Sequence, residues 1–200
     1  MKAGAVILAA GASTRMGTAK ALLDWGGRPL LQHQIDTLVE AGCDPVVVAL
    51  GHAAEVVRSR IDCRAPCRVI VNAGYTEGRA ASVRAGAAAL PAGLGAIVIT
   101  NIDGPCSAAT VRKLIEEMGS VGASIVVPRY DDKNGHPAVF AGELLTELRG
   151  VDEVGQGLKA VRAQHRETTQ FVDVDDPLVG LDLNTPKDYE RAQHLLTREA

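Results

Sequence analysis

Aromatic residues make up only 3% of this 200-residue chain, so its core has to be built from aliphatic side chains. Neither sign of charge dominates either: 21 Lys and Arg stand against 24 Asp and Glu, a formal net charge of −3. That balance lacks the basic footprint of a nucleic-acid binder and offers an anionic membrane no attraction. A small molecule is the expected partner. No apolar run approaches the roughly 20 residues of a membrane span, and the chain opens into a strand after a single lysine, without the pattern of an export signal. Cysteine is sparse as well. The four present (Cys43, Cys63, Cys67 and Cys106) contain no C-x-x-C pair and no histidine at zinc-site spacing. Cys63 and Cys67 could bridge, but without an export signal all four are expected as reduced thiols in a cytoplasmic protein.

What is present is a substantial aliphatic complement, 46% hydrophobic against 22% charged, ordinary for a globular protein. The length suits one domain over residues 1–200, with no repeat, linker or low-complexity tract. Short apolar runs alternate with helix-period segments. Strands are expected at residues 5–10, 45–50 (VVVAL), 68–71, 96–100 (AIVIT) and 124–128 (SIVVP). Between them, a helix opens at Pro29 with Leu31, Ile35 and Leu38 on one face and stops at Gly42. Further helices are expected at residues 53–61 and 78–90, and after Ser107 as N-cap, with Val111, Leu114, Ile115 and Met118 facing inward. Purely apolar strands alternating with amphipathic helices predict an α/β fold: a doubly wound, mostly parallel sheet with helices on both faces. Ligands of such sheets bind outside the carboxyl ends of the strands. The pattern loosens after Pro128, with a short strand at 138–140, helices at 142–148 and 157–164, and a strand at 169–174. Thr185-Pro-Lys-Asp188 has the form of a capping box with Pro at N1, so a last helix is expected from Pro186.

The residues able to carry chemistry gather at strand ends. The first strand runs into Ala9-Ala-Gly-Ala-Ser-Thr-Arg-Met-Gly-Thr-Ala-Lys20. Gly11 and Gly17 let backbone amides approach a ligand, successive amides form an anion-binding concavity, and Arg15 and Lys20 add full charges. A polyphosphate suits that arrangement; a plain tight turn is the alternative. The loop is neither a Walker A sequence nor a Gly-x-Gly-x-x-Gly dinucleotide turn. Asp103 follows the AIVIT strand and either binds a metal on a nucleotide phosphate or caps the next helix, for which Ser107 is better placed. Residues 78–86 (GRAASVRAG) open a helix with Ser82 and Arg84, and close helix packing competes with an anion contact there. Asn134-Gly135-His136-Pro137 reads as a turn. Tyr75, Tyr130 and Trp25 could each stack on a base or a pterin. Cys106 reads as a small residue at a helix start, because no base partner for a nucleophile is apparent.

The pattern Leu8-Ala-Ala-Gly-x-Ser-x-Arg-Met-Gly-x-x-Lys20, followed in order by Ser82-Val-Arg-x-Gly86, Asp103-x-Pro105, Gly135-His-Pro137 and Asp182-x-Asn-Thr-Pro186, resembles the nucleotidyltransferases of molybdenum cofactor biosynthesis over nearly the whole chain. The resemblance implies a Rossmann-like nucleotidyltransferase fold and transfer of a nucleotide to the phosphate of a molybdopterin-type acceptor. It implies nucleotide contacts at Ala9, Ala10, Gly11, Ala12, Ser13, Gly17, Lys20, Ser82 and Gly86, and charge stabilisation by Arg15 and Lys20. Mg²⁺ would sit on Asp103 and Asn184, and Gly135, His136 and Pro137 would receive the pterin-type acceptor. Leu8-Ala-Ala-Gly11 is similar to the cytidylyl branch, where guanylyl relatives carry Leu-Ala-Gly-Gly, so CTP is the expected donor. Transient contact with a molybdoenzyme maturation protein follows from the same resemblance. Another nucleotide or phosphorylated acceptor remains an alternative, as does a nicotinamide-dependent oxidoreductase or a non-catalytic cofactor carrier on the same opening loop.

Overall fold

Strand β1 (Ala3–Ala9) is buried along its whole length, as an apolar run without alternation requires. In the computed structural model, which describes residues 1–13 and 16–199, it lies at the centre of an eight-stranded sheet. It pairs in parallel with β2 (Cys43–Leu50) on one side and β4 (Ala96–Asn101) on the other, and β3 (Cys67–Val71) adds in parallel to β2. These four strands carry the apolar runs expected of a doubly wound sheet. Both faces are covered. Ala5 and Ile7 point into one cluster with Leu30, Leu31, Ile35 and Leu38 of α1 (Leu30–Glu40) and Val111, Leu114 and Met118 of α4 (Ala108–Val121). Val6 and Leu8 point into the other, against Ala80, Val83 and Ala87 of α3 (Arg79–Ala88) and Leu145 and Leu148 of α5 (Leu145–Gly150). Each leucine so buried is worth roughly 1.5–3 kcal/mol relative to exposure.

Beyond β4 the topology departs from simple parallel winding. The next strand in the sheet is not β5 (Ile125–Tyr130) but β7 (Ala138–Ala141), which runs antiparallel to both β4 and β5. A two-residue β6 (Lys133–Asn134) pairs back onto β5, and β8 (Thr169–Asp173) lies parallel to β5. Turn-rich residues 129–137 are what allow the chain to double back there. Helix bounds are shorter than periodicity predicts: α2 covers only Ala54–Arg58, and the segment at 142–148 splits into a 3₁₀ turn and α5. Helix α6 (Leu158–Gln164) and α7 (Pro186–Glu199) stand close to expectation. The capping box at α7 is formed: Asp188 accepts from the Thr185 amide and hydroxyl at 2.8 Å, and its amide donates back to Thr185 Oγ1 at 3.3 Å.

One expectation about cysteine is overturned. Cys63 and Cys67 are joined in a disulfide, with their Cα atoms 5.1 Å apart, within the span such a bond needs. The turn between α2 and β3 brings them together, a geometric fact to which an argument from compartment is blind. Cys43 and Cys106 are free and buried. Among the described residues no helix is long and apolar enough to cross a membrane.

Candidate active site

The chain leaves the sheet at Gly11 and folds back on itself within a few residues. Ser13 does the folding: at φ 51° its carbonyl accepts from the Met16 amide at 2.9 Å, and its hydroxyl accepts from the Lys20 amide at 3.1 Å. Lys20 thereby begins a short 3₁₀ turn (Lys20–Leu22) with its side chain nearly enclosed, 9% of the residue exposed. Gly17 sits at φ +69°, a conformation that costs an L side chain energy and glycine nothing.

Two other chain segments meet Lys20. Gln34 of α1, itself buried, donates to the carbonyls of Asn101 and Ile102 at 3.1 Å each and so holds the end of β4 from which Asp103 projects. The closing segment is stitched to the same place, because the Leu183 amide donates to the Asp103 carbonyl at 3.0 Å and Leu183 is fully buried. Asn184 follows directly. Lys20 Nζ then donates to Asp103 Oδ2 at 3.0 Å and to Asn184 Oδ1 at 3.0 Å, joining residues separated by 83 and 164 positions in sequence. Asp103 caps no helix: the Ser107 hydroxyl accepts from the Thr110 amide and caps α4.

These groups border a cleft of about 400 Å³ at the carboxyl end of β1 and β4, a size normal for a small-molecule site. Ala10, Gly11 and Ser13 form one wall, Asn101 and Asp103 another, and Tyr75, Gly78, Arg79 and Ser82 at the head of α3 a third. The site is charged and polar at its floor. A carboxylate oxygen and an amide oxygen converging on one ammonium are hard donors that fit Mg²⁺, provided phosphate and water complete the coordination. Among the described residues there is no group of three or more His, Cys, Asp or Glu able to hold a metal alone, so the substrate's phosphates would have to contribute.

Residues 5–169 match the model of the MobA-like NTP transferase domain. The chain belongs to that family. It is a nucleotidyltransferase of the MobA-like type, on a Rossmann-like fold. Nicotine blue oxidoreductase of Paenarthrobacter nicotinovorans is 31% identical over 188 residues, covering 90% of this chain and 91% of that protein. Bifunctional protein GlmU of Anaeromyxobacter is 32% identical over 154 residues, 74% of this chain but only 32% of GlmU. The crystal structure of Rv0371c from Mycobacterium tuberculosis H37Rv superposes with a TM-score of 0.83 at 32% identity, over 97% of this chain and 98% of that one. Its complex with manganese superposes at 0.75, with 29% identity over 96% and 97% of the two chains.

Within this nucleotidyltransferase, several expected site residues come together and others do not. Ala10, Gly11, Ser13, Lys20, Ser82, Asp103 and Asn184 all border the cleft. Arg15 lies outside the described residues. Ala12 and Gly17 are exposed in the loop, while the Ala9 side chain packs into the core on the α1 face. Gly86 is not among the residues that border the cleft; a Cβ there would stand 2.3 Å from Val6 Cγ1, so the helix needs glycine to lie on β1, as the packing reading expects. Gly135 is likewise pressed against the Val179 carbonyl. His136 packs beside Gly104, with Nε2 3.2 Å from Asn101 Nδ2. Burial, reinforced by the charge of Arg79, lowers its pKa, which keeps the ring neutral. Of the three aromatic candidates only Tyr75 borders the cleft; Trp25 is buried in the core and Tyr130 packs against it. Arg84 is used structurally, donating to the Val151 carbonyl at 3.0 Å. Burial drives the Cys106 thiol pKa far up, which leaves it unreactive.

Arg79 and Asn101 were not anticipated. Arg79 opens α3 directly after Gly78, whose φ of +117° starts the helix, and lies in the fields of Asp103, Asp182 and Glu153. An arginine at the first position of a glycine-led helix, facing a strand-end aspartate, is the signal that would have found it. The α3 N-terminus already holds an anion, since the Ala80 amide donates to Glu153 Oε1.

Proposed function

We propose that this chain transfers CMP from CTP to the phosphate of a molybdopterin-type acceptor and releases pyrophosphate, with a divalent cation, Mg²⁺ in the cell. The observation that carries the reading is the convergence of Lys20, Asp103 and Asn184 beside the glycine loop. An oxygen of the acceptor phosphate attacks the α-phosphorus in line, and the bond to the bridging oxygen of the β-phosphate breaks. The nucleophile is already an anion, so no strong general base is needed, and His136, held neutral, orients the acceptor. Catalysis is then positioning and charge neutralisation. Amides from Gly11 onward hold the phosphates; Lys20, together with Arg15, stabilises charge on the leaving pyrophosphate. When bound on Asp103 and Asn184, the metal supplies Lewis acidity and a template for the triphosphate. Tyr75 offers a stacking face for the base, and Gly135-His136-Pro137 the acceptor side. The manganese complex of Rv0371c supports a metal on this scaffold. A cytoplasmic location and contact with a molybdoenzyme maturation protein belong to the same proposal.

Base choice is assigned to Ala10, which borders the cleft at the position where the guanylyl branch carries glycine. A methyl-sized contact is worth roughly 1–3 kcal/mol, about ten- to two-hundredfold in kcat/KM. Wild type should therefore prefer CTP to GTP by that order with molybdopterin as acceptor, and Ala10→Gly should erode the preference while keeping turnover. A wild-type preference for GTP would overturn the cytidylyl assignment. The likeness to nicotine blue oxidoreductase favours one second reading, a nicotinamide-dependent oxidoreductase. NADPH oxidation with an electron acceptor, without pyrophosphate release from either nucleotide, would establish it instead.

A further inference from the structure

We infer that the Lys20 ammonium is a stand-in cation on the metal-binding oxygens, so that the site takes a divalent cation only together with a triphosphate and rejects the free ion. The inference rests on the metal-assisted reading above. Nζ occupies the point on which Asp103 Oδ2 and Asn184 Oδ1 converge, 3.0 Å from each. The arrangement is built from all sides. The Lys20 backbone is fixed by Ser13 Oγ and by the Leu23 amide on its own carbonyl, and the two oxygen donors are tied together through Leu183. A small divalent cation bonds oxygen at about 2.0–2.1 Å, so a metal bridging these two atoms from the ammonium's side would collide with Nζ, and from any side it would meet the ammonium's charge. The two cations therefore compete for the same pair of oxygens.

Charge decides which of them wins. Asp103 and Lys20 form an ion pair and Asn184 adds no charge, so the ammonium offsets the one carboxylate a free dication would bind; Arg79 opposes the dication further, and Asp182, in whose field Arg79 lies, acts the other way. A triphosphate changes both sides of the exchange. Its oxygens draw the lysine, whose flexible stem lets the ammonium swing away from the carboxylate, and they bring ligands for the metal. The species the site recognises is thus the metal–triphosphate chelate. The same side chain serves first as a lock on the metal position and then as a phosphate ligand.

The test uses Mn²⁺ as probe, with the loss of its free-ion electron paramagnetic resonance signal as readout and no acceptor present. Wild type should take up Mn²⁺ alone at least tenfold more weakly than Lys20→Met, while Lys20→Met should bind CTP more weakly than wild type. A merely damaged site would weaken both; the opposite signs are diagnostic. Lys20→Gln, which removes the charge and leaves a shorter, neutral amide, gives the same comparison if the methionine variant does not fold. Equal Mn²⁺ affinity in wild type and the lysine variants overturns the stand-in role, even where Asp103→Asn still abolishes Mn²⁺ uptake with CTP and so upholds the metal site. If Asp103→Asn leaves Mn²⁺ uptake unchanged in the lysine variants and in the presence of CTP, the metal reading itself fails and this inference with it.

Discussion

Asp103 and Asn184 touch the same ammonium, yet only Asp103 carries charge, and that difference predicts how their losses will diverge. Asp103→Ala removes the one carboxylate on the proposed metal and leaves the Lys20 ammonium without its ion-pair partner. Turnover that depends on Mg²⁺ should be abolished, while metal-free nucleotide binding persists. Asn184→Ala removes a neutral donor and should cost less. Lys20→Ala should lower kcat by on the order of a hundredfold, the typical loss of a donor aimed at developing charge. A titration of kcat against Mg²⁺ separates these variants. Unchanged metal dependence in Asp103→Ala would remove the carboxylate from the reaction altogether. Asp103 was legible because it ends an apolar strand on the sheet edge that carries the glycine loop. Asn184 was legible only through the order of motifs, since its approach to Asp103 is made by a backbone bond from Leu183 and by burial, neither of which has a local pattern.

At the scale of elements, α3 lies close on β1 because Gly86 has no side chain. Gly86→Ala would put a methyl 2.3 Å from Val6 Cγ1, and valine is too stiff to turn aside. Overpacking of this kind costs about 1–3 kcal/mol, against a helix-propensity gain of up to about 1 kcal/mol for alanine over glycine. The variant should lose stability in urea unfolding while kcat stays near wild type, and adding Val6→Ala should restore part of the loss, the coupling expected of residues in contact. Destabilisation with no rescue, or a raised KM for nucleotide at unchanged stability, would return Gly86 to the binding site. The four parallel strands and the helices between them could be read from sequence, because strands buried on both faces are apolar without interruption. The insertion of β7 between β4 and β5 could not: Ala138–Ala141 shows that it is a strand, but nothing in its period names its neighbours. The aromatic residues divide for a similar reason. Trp25 and Tyr75 look alike in sequence, and only the packing of α1 decides that Trp25 is core.

For the molecule as a whole, two histidines set how stability responds to mild acid. The pKa of His33 is lowered first by burial and then by the charge of Arg28, with Asp36 opposing; its Nε2 is buried without a partner. His136 is lowered by burial and Arg79, with Asp182 and Asp103 opposing. Below the unfolded value of 6.5 the unfolded chain takes up protons that the native state refuses, so folding stability must fall as pH drops through that window. The carboxylates with lowered pKa, Asp173 and Asp188, start from 3.8 and act only in stronger acid. Tm should therefore decline between pH 7.5 and 5.5, by about 2–4 °C for each kcal/mol lost in a domain of this size. His33→Gln removes one of the two titrations and stands apart from the cleft, so it should flatten the decline without changing kcat at pH 7.5. The same Tm slope in wild type and His33→Gln would mean that the native state protonates His33 freely, and that its packing against Trp25 is looser than the 5.9 Å between the two rings describes.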